Sequence, residues 1–346
     1  MLMLVLVALV ALVAGHGIAG VVAEDGPQPT TIAQPAHQQV GNASFRVVED
    51  GTFHINTTGA VVVNGVDVVQ RINELTTMVN EVRDYLMLPE LLAEANPGKH
   101  LIVFEGTVRA GTKDLTSLSF GQRIVRVPGA IDLGVNDLTS IDFGALEVVG
   151  GAFEITRNPF RTFSFQNIRY VGGNIRLDDM ELEEVDFGAL TFVGGDILMN
   201  NNPVVVADMS RIERVGSLTA YQTKLRAANF TGLRSVNSIN MHKCELEAVA
   251  FGPHLTQIGL SAYFHQNQIT SVDFGGVQSI HSVLYLYSNN LTALDFGSMT
   301  HIGGKIYVHD NPDLATLDCK GLGSCICADS TTTLTNCPPP CPGACD

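Results

Sequence analysis

The sequence predicts a mainly β protein: a parallel β-solenoid of about nine 22-residue coils, with a short N-terminal helix and a cysteine-rich C-terminal cap. Three observations carry this. A motif recurs about every 22 residues from Leu115 to Leu314. A phenylalanine column runs through it as Phe120, Phe143, Phe165, Phe187, Met209, Phe230, Phe251, Phe274 and Phe296. Each unit also holds two short alternations, such as Ile141-Asp142-Phe143 and Phe153-Glu154-Ile155, whose period of two means strand. A unit this short cannot bury its own apolar side chains, so each coil has to stack on its neighbours, as repeat architectures do.

Taken from the N-terminus, residues 2 to 14 form an apolar run followed by small residues, so residues 1 to 23 are expected to be a signal peptide cleaved near Ala23. The run lacks a basic leader, which leaves a noncleaved anchor as the alternative. Residues 24 to 64 read as a linker rich in Pro, Gln and Thr followed by short strands. Val68, Ile72, Leu75, Val79, Val82 and Leu86 then keep a and d spacing, predicting one short helix over residues 65 to 89 that ends at Pro89. Two roles compete for it: a cap over the first coil, or a short coiled coil that makes the protein a homo-oligomer.

Residues 101 to 318 are the solenoid, each coil contributing to two parallel sheets. The corner between them carries Gly150, Gly172, Gly194, Gly216, Gly259 and Gly303, where glycine accommodates a positive φ or a close backbone approach. No helix follows these glycines, so they are geometric rather than phosphate-binding. After the second strand an asparagine recurs at Asn136, Asn158, Asn202, Asn267, Asn289 and Asn311. There a side-chain amide can satisfy backbone groups of the bend that would otherwise be stranded. Cys244 occupies the same place and reads as a buried member of that ladder.

These features, with runs such as Leu190-Thr191-Phe192-Val193-Gly194-Gly195 leading to Asn202-Pro203 and Met299-Thr300-His301-Ile302-Gly303-Gly304 leading to Asn311-Pro312, resemble leucine-rich repeats. Within that superfamily the chain looks most like the receptor L domain of growth-factor and insulin-type receptors and of a family of fungal cell-wall proteins. The resemblance implies a flattened right-handed β-solenoid and, by analogy alone, ligand binding. It departs from the receptors in having about nine unbroken coils, with no kinase.

Six cysteines crowd the last segment, Cys319, Cys325, Cys327, Cys337, Cys341 and Cys345, so residues 319 to 346 are expected to form a disulfide-rich cap whose pairing stays open. The cap has a physical purpose, since a solenoid exposes a full coil cross-section at its end. Sequons at Asn42, Asn56, Asn229 and Asn290 fit the secretory route. Together these features lead us to expect a secreted or cell-surface protein, without membrane insertion once the leader is removed. A net charge of −15 argues against nucleic acid, which needs a concentrated basic face.

Function is then sought on the outward positions of the longer sheet. One column runs Asp132, Glu154, Arg176, Leu198, Thr219, Asn240, Tyr263, Tyr285 and Tyr307; a second, two residues on, runs Gly134, Thr156, Asp178, Asn200, Tyr221, His242, His265, Tyr287 and His309. The rings of the C-terminal coils, Tyr221, His242, Tyr263, His265, Tyr285, Tyr287, Tyr307 and His309, are the candidate binding residues. Tyrosine offers stiff contact area with a polar tip, suited to protein hot spots and to sugars. The alternative is that these aromatic pairs only stabilise the sheet surface.

The carboxylates Asp132, Glu154, Asp178 and Asp179 cluster on the N-terminal half, but no long insertion walls a pocket around them. No enzyme activity, cofactor or metal is therefore expected. The expected function is recognition of an extracellular protein or glycan by the outward face. The competing reading is a structural matrix or coat component oligomerised by the helix.

Overall fold

The computed structural model describes residues 38–40, 43–47, 53–57, 62–63, 66–99, 101–110 and 115–338. The expected signal peptide, Asn42, Cys341 and Cys345 lie outside the described residues. The chain divides into two compact units, residues 1–83 and 84–346.

In the first unit Gln38–Val40, Ala43–Val47 and Phe53–Thr57 form a three-stranded antiparallel sheet, and Val62–Val63 pairs with Val66–Asp67 as a hairpin. One continuous helix, Val68–Ala95, begins in this unit and ends in the second. It does not stop at Pro89, as the sequence suggested, but runs straight through it. A mid-helix proline removes one hydrogen bond and costs about 3 kcal/mol. Leu88 and Leu92, each 1% exposed, flank it and join the solenoid core. Burying two leucines stabilises by about 1.5–3 kcal/mol each, enough to offset the proline.

In the second unit these last helical turns act as the lid of the first coil. Just past the helix, Asn96 donates from Nδ2 to Ser119 O at 2.6 Å and accepts the Ser119 N–H at 2.9 Å, closing the strand edge with a side-chain amide. Glu94 pairs with Arg123 at 3.0 Å on the rim.

The solenoid is built round a twelve-stranded sheet. Its first two strands, Leu101–Phe104 and Thr107–Ala110, form an antiparallel hairpin that the repeat pattern did not reveal. From Thr107–Ala110 onward each strand pairs in parallel with the next coil, ending at Ile326–Cys327, which makes about ten coils.

Two expectations need correction. Each coil has three sides, not two: the segments Arg126–Val127, Val148–Val149, Tyr170–Val171 and Phe192–Val193 form a sheet of their own, resumed by Gln257–Ile258, Ser279–Ile280 and His301–Ile302. Two-residue strands are too short to show a period, so they read as part of a corner. The repeat also does not end at residue 318, because Thr333–Thr335 pairs in parallel with Thr316–Asp318. Cys319 takes the place that phenylalanine holds in the earlier coils, which hid the last coil inside the cysteine cluster.

The core is one continuous cluster along the axis. All nine members of the phenylalanine column are at most 3% exposed, and neighbouring rings such as Phe165 and Phe187 stack at 5.5 Å. The corner glycines serve close approach and not positive φ. A Cβ on Gly150 would strike the carbonyl oxygen of Pro128, and one on Gly172 that of Gly150. The left-handed conformation falls instead on non-glycine residues one place before the ladder, Val135, Arg157, Asp179, Asn201, Gln222, Lys243, Gln266, Ser288 and Asp310, with φ between 53° and 57°.

The ladder itself is built as expected. Asn158 donates to Leu133 O in the coil before at 2.9 Å and to Ile155 O in its own at 2.8 Å, while its Oδ1 accepts Leu138 N–H at 3.0 Å. Asn202, Asn289 and Asn311 repeat this. At Cys244 a thiol substitutes, donating to Ala220 O at 2.9 Å and accepting from Thr223 Oγ1 at 3.2 Å. Burial pushes its pKa up, as suits an inert thiol.

Candidate ligand-binding face

The strand pairing places the candidate rings where register counting put them. Asn240 faces Tyr263, Tyr263 faces Tyr285, and Tyr285 faces Tyr307. Each ring is held outward because its neighbours point in: Ala262 and Phe264 flank Tyr263, Leu284 and Leu286 flank Tyr285, and Ile306 and Val308 flank Tyr307, all buried. Backbone bonds lock the coil spacing, with Phe264 N–H donating to Tyr285 O at 2.9 Å and Leu286 N–H to Tyr307 O at 2.8 Å. Directly after the second column the left-handed residues Gln266, Ser288 and Asp310 turn the chain so that the ladder asparagine enters the core.

The second column is a continuous stack. Tyr221 lies 5.3 Å from His242, His242 4.6 Å from His265, His265 4.6 Å from Tyr287 and Tyr287 4.7 Å from His309, all within 18° of parallel. Beside it Tyr263, Tyr285 and Tyr307 meet edge to face, at 5.2 Å and 4.4 Å. Lys305 Nζ sits 5.9 Å from the centre of the Tyr307 ring, a cation–π arrangement. Seven of the eight side chains are half-buried, and His265 is buried at 8% exposure.

Burial sets the electrostatics. It pushes the His265 pKa down to about 4, helped by His242 and Lys243, and lowers that of His242 with Lys243 assisting. Tyr285 and Tyr287 are raised, chiefly by the same desolvation. His242 Nδ1 lies 2.6 Å from Asn240 Oδ1, and His309 Nδ1 lies 3.2 Å from Asp310 Oδ2. His265 Nδ1 is buried with no hydrogen-bond partner among the described residues.

The N-terminal half of the same sheet is chemically different. Asp132 pairs with Arg109 at 3.4 Å, Glu154 accepts from Thr156 Oγ1 at 3.2 Å, and Asp179 accepts from Asn201 Nδ2 at 2.8 Å. Asp178 accepts the Asn200 N–H at 2.9 Å; burial raises its pKa, and Arg176 is the weakest of the influences on it.

Cys319 and Cys337 are disulfide-bonded with Cα atoms 4.9 Å apart, and Cys325 is also disulfide-bonded. Cys327 is buried, opposite Tyr307 in the register. The sequons at Asn229 and Asn290 lie on exposed residues, although each adjoins a buried one. Asn229 Oδ1 accepts from Thr231 Oγ1 at 2.7 Å. Asn56 lies on the strand Phe53–Thr57.

A further column went unread in the sequence. Asp142, Asp186, Asp208, Asp273, Asp295 and Asp318 each accept the backbone N–H of the residue two places on, at 2.8 to 3.0 Å. The signal was there in the repeated Asp-Phe-Gly, where a short carboxylate caps the turn that glycine makes.

No family model matches the chain, and no curated protein matches it.

Proposed function

We propose that the protein is a secreted or cell-surface binding module of the receptor-L-domain and leucine-rich-repeat type, which recognises an extracellular protein or glycan through the outward face of its long sheet. One observation carries this reading: eight ring side chains from five adjacent coils form a single patch confined to one end of a face whose other end carries charged and small residues. Were these rings present only to hold the sheet together, they would be as useful at Arg176 or Leu198 as at Tyr285. The expected leader, the sequons and the disulfides at Cys319–Cys337 and Cys325 support an oxidising, extracellular setting.

The test is binding of the secreted protein to a glycan array and to cell-surface extracts, beside a variant with Tyr263, Tyr285 and Tyr307 changed to Ser. Binding lost while the circular dichroism spectrum is kept supports the reading, and equal binding sinks it.

A structural role is the second reading. It draws on Val79 and Leu86, which belong to the a/d stripe of the helix and are 48% and 67% exposed. Sedimentation of the intact protein and of a Val79→Asp, Leu86→Asp variant decides it. An oligomer that the substitutions dissolve favours that role.

A further inference from the structure

Resting on the recognition reading above, we infer that the ligand is a linear, uncharged glycan lying along the coil axis, with sugar rings seated on alternate members of the row Tyr263, Tyr285 and Tyr307. The first argument is the orientation of the ring planes. Rings of the second column come from neighbouring strands and lie parallel at the coil spacing, so their planes stand across the axis and their faces are covered by one another. What they show to solvent is edges, and those edges carry imidazole nitrogens and phenol oxygens.

The tyrosine column is turned away from that stack. Tyr263 makes 74° with His265, Tyr285 76° with His265, and Tyr307 74° with His309. Within the column Tyr285 crosses Tyr263 at 78° and Tyr307 at 86°. Two crossed rings whose planes both run along the axis cannot both stand upright on the sheet. At least one of each pair lies nearer flat than upright and turns a π face outward. Because each ring crosses its neighbour, the surface alternates along the axis between an aromatic face and an upright ring, beside a row of polar edges.

A pyranose ring is complementary to that surface, having a C–H face to lay on the negative ring face and hydroxyls around its rim for the flanking edges. Coils repeat at about 4.8 Å, close to the length of one sugar in an extended chain, so every second sugar of a polymer comes back over the faces that alternate along the row.

A protein partner fits less well. Protein hot spots sit in desolvated pockets within patches of about 800 Å² per side. Here Tyr285 is already in contact with four rings and half-buried among them. The net charge of −15 disfavours acidic polysaccharides.

Calorimetric titration of the intact secreted protein with neutral β-linked oligosaccharides of glucose, mannose and N-acetylglucosamine, from monosaccharide to hexasaccharide, tests this. Affinity for one series should climb several-fold with each added sugar and level off at about the tetrasaccharide. Tyr285→Ala should weaken it by about tenfold or more, and Tyr285→Phe, which keeps the ring face and the packing, should stay within about threefold of the parent. Binding that ignores chain length, or that Tyr285→Ala leaves unchanged, overturns the inference. If no sugar binds but a cell-surface protein is retained and lost with Tyr285→Ala, the glycan is wrong and the recognition face survives. Silence from both probes sinks both.

Discussion

The two halves of the long sheet share one backbone and differ in everything they show to solvent. From Asp132 to Asn200 the outward positions carry carboxylates, an arginine, a leucine and small groups, several of them matched locally by a hydrogen bond or ion pair such as Thr156 to Glu154 and Arg109 to Asp132. From Tyr221 to His309 the same positions carry rings that satisfy one another by stacking. The handover is visible at Asn200, whose Oδ1 accepts the Tyr221 N–H at 3.1 Å where the polar ladder gives way to the stack. The scaffold therefore does not dictate the surface, since one coil geometry carries both chemistries.

The comparison breaks most sharply if the cores beneath the two halves are unequal. Phe143 lies under the charged half and Phe274 under the ring half, at 0% and 2% exposure. Each Phe→Ala substitution should cost about 3–5 kcal/mol in a urea titration. Equal losses leave the difference at the surface alone; a much smaller loss at Phe274 would mean that the rings outside already hold those coils together.

Acid is the next largest lever, and it should weaken the ring half, since the raised pKa of Asp178 in the charged half works in the opposite direction. His265 has a folded pKa of about 4 against an ordinary value of 6.5, so the unfolded chain binds the extra proton between those values. Its contribution to stability is complete above pH 6.5 and is lost as pH falls towards 4. His242, Lys243, Tyr285 and Tyr287 surround it, and both cations oppose its protonation. The loss is at most about 3 kcal/mol. Urea midpoints between pH 7 and 4 should fall in the parent and flatten in His265→Gln.

How much of this was readable beforehand follows from what a repeat can and cannot encode. Phe120 to Phe296 and the asparagine ladder recur at fixed spacing, so coil stacking, the inward faces and the outward register of Tyr285 were all legible. Three features were not. The side formed by Val148–Val149 is too short to have a period, the persistence of the helix through Pro89 depends on the burial of Leu88 and Leu92 in the solenoid core, and the last coil was hidden by Cys319. Membership of the patch could be counted from the sequence, but not the tilt of its rings, because a register says which side a residue takes and nothing about how two planes meet.

A smaller test separates stacking from charge on the surface itself. Tyr285→Ala removes four ring contacts and should cost about 1–2 kcal/mol. Glu154→Ala on the other half should stay within about 0.5 kcal/mol, as exposed substitutions do. Thermal unfolding of both reads the contrast; equal losses would remove the energetic distinction between the halves.

The smallest expected effect runs the other way and concerns strain that both halves inherit from the coil. Nine residues before the ladder hold φ between 53° and 57°, and Val135, in the charged half, is the β-branched one among them. A left-handed conformation costs an L-residue about 1–2 kcal/mol, more for a branched Cβ and less for asparagine, whose side chain bonds locally. Val135 is 43% exposed, so replacing it loses little packing, and its N–H bond to Thr156 O at 2.8 Å survives any side chain. Val135→Asn should therefore stabilise by about 1 kcal/mol, whereas Ser288→Asn in the ring half, which starts from an unbranched residue, should gain a few tenths of that. Stabilisation at both sites would locate the strain in the coil geometry, and stabilisation at neither would mean that stacking of coil on coil has already absorbed it.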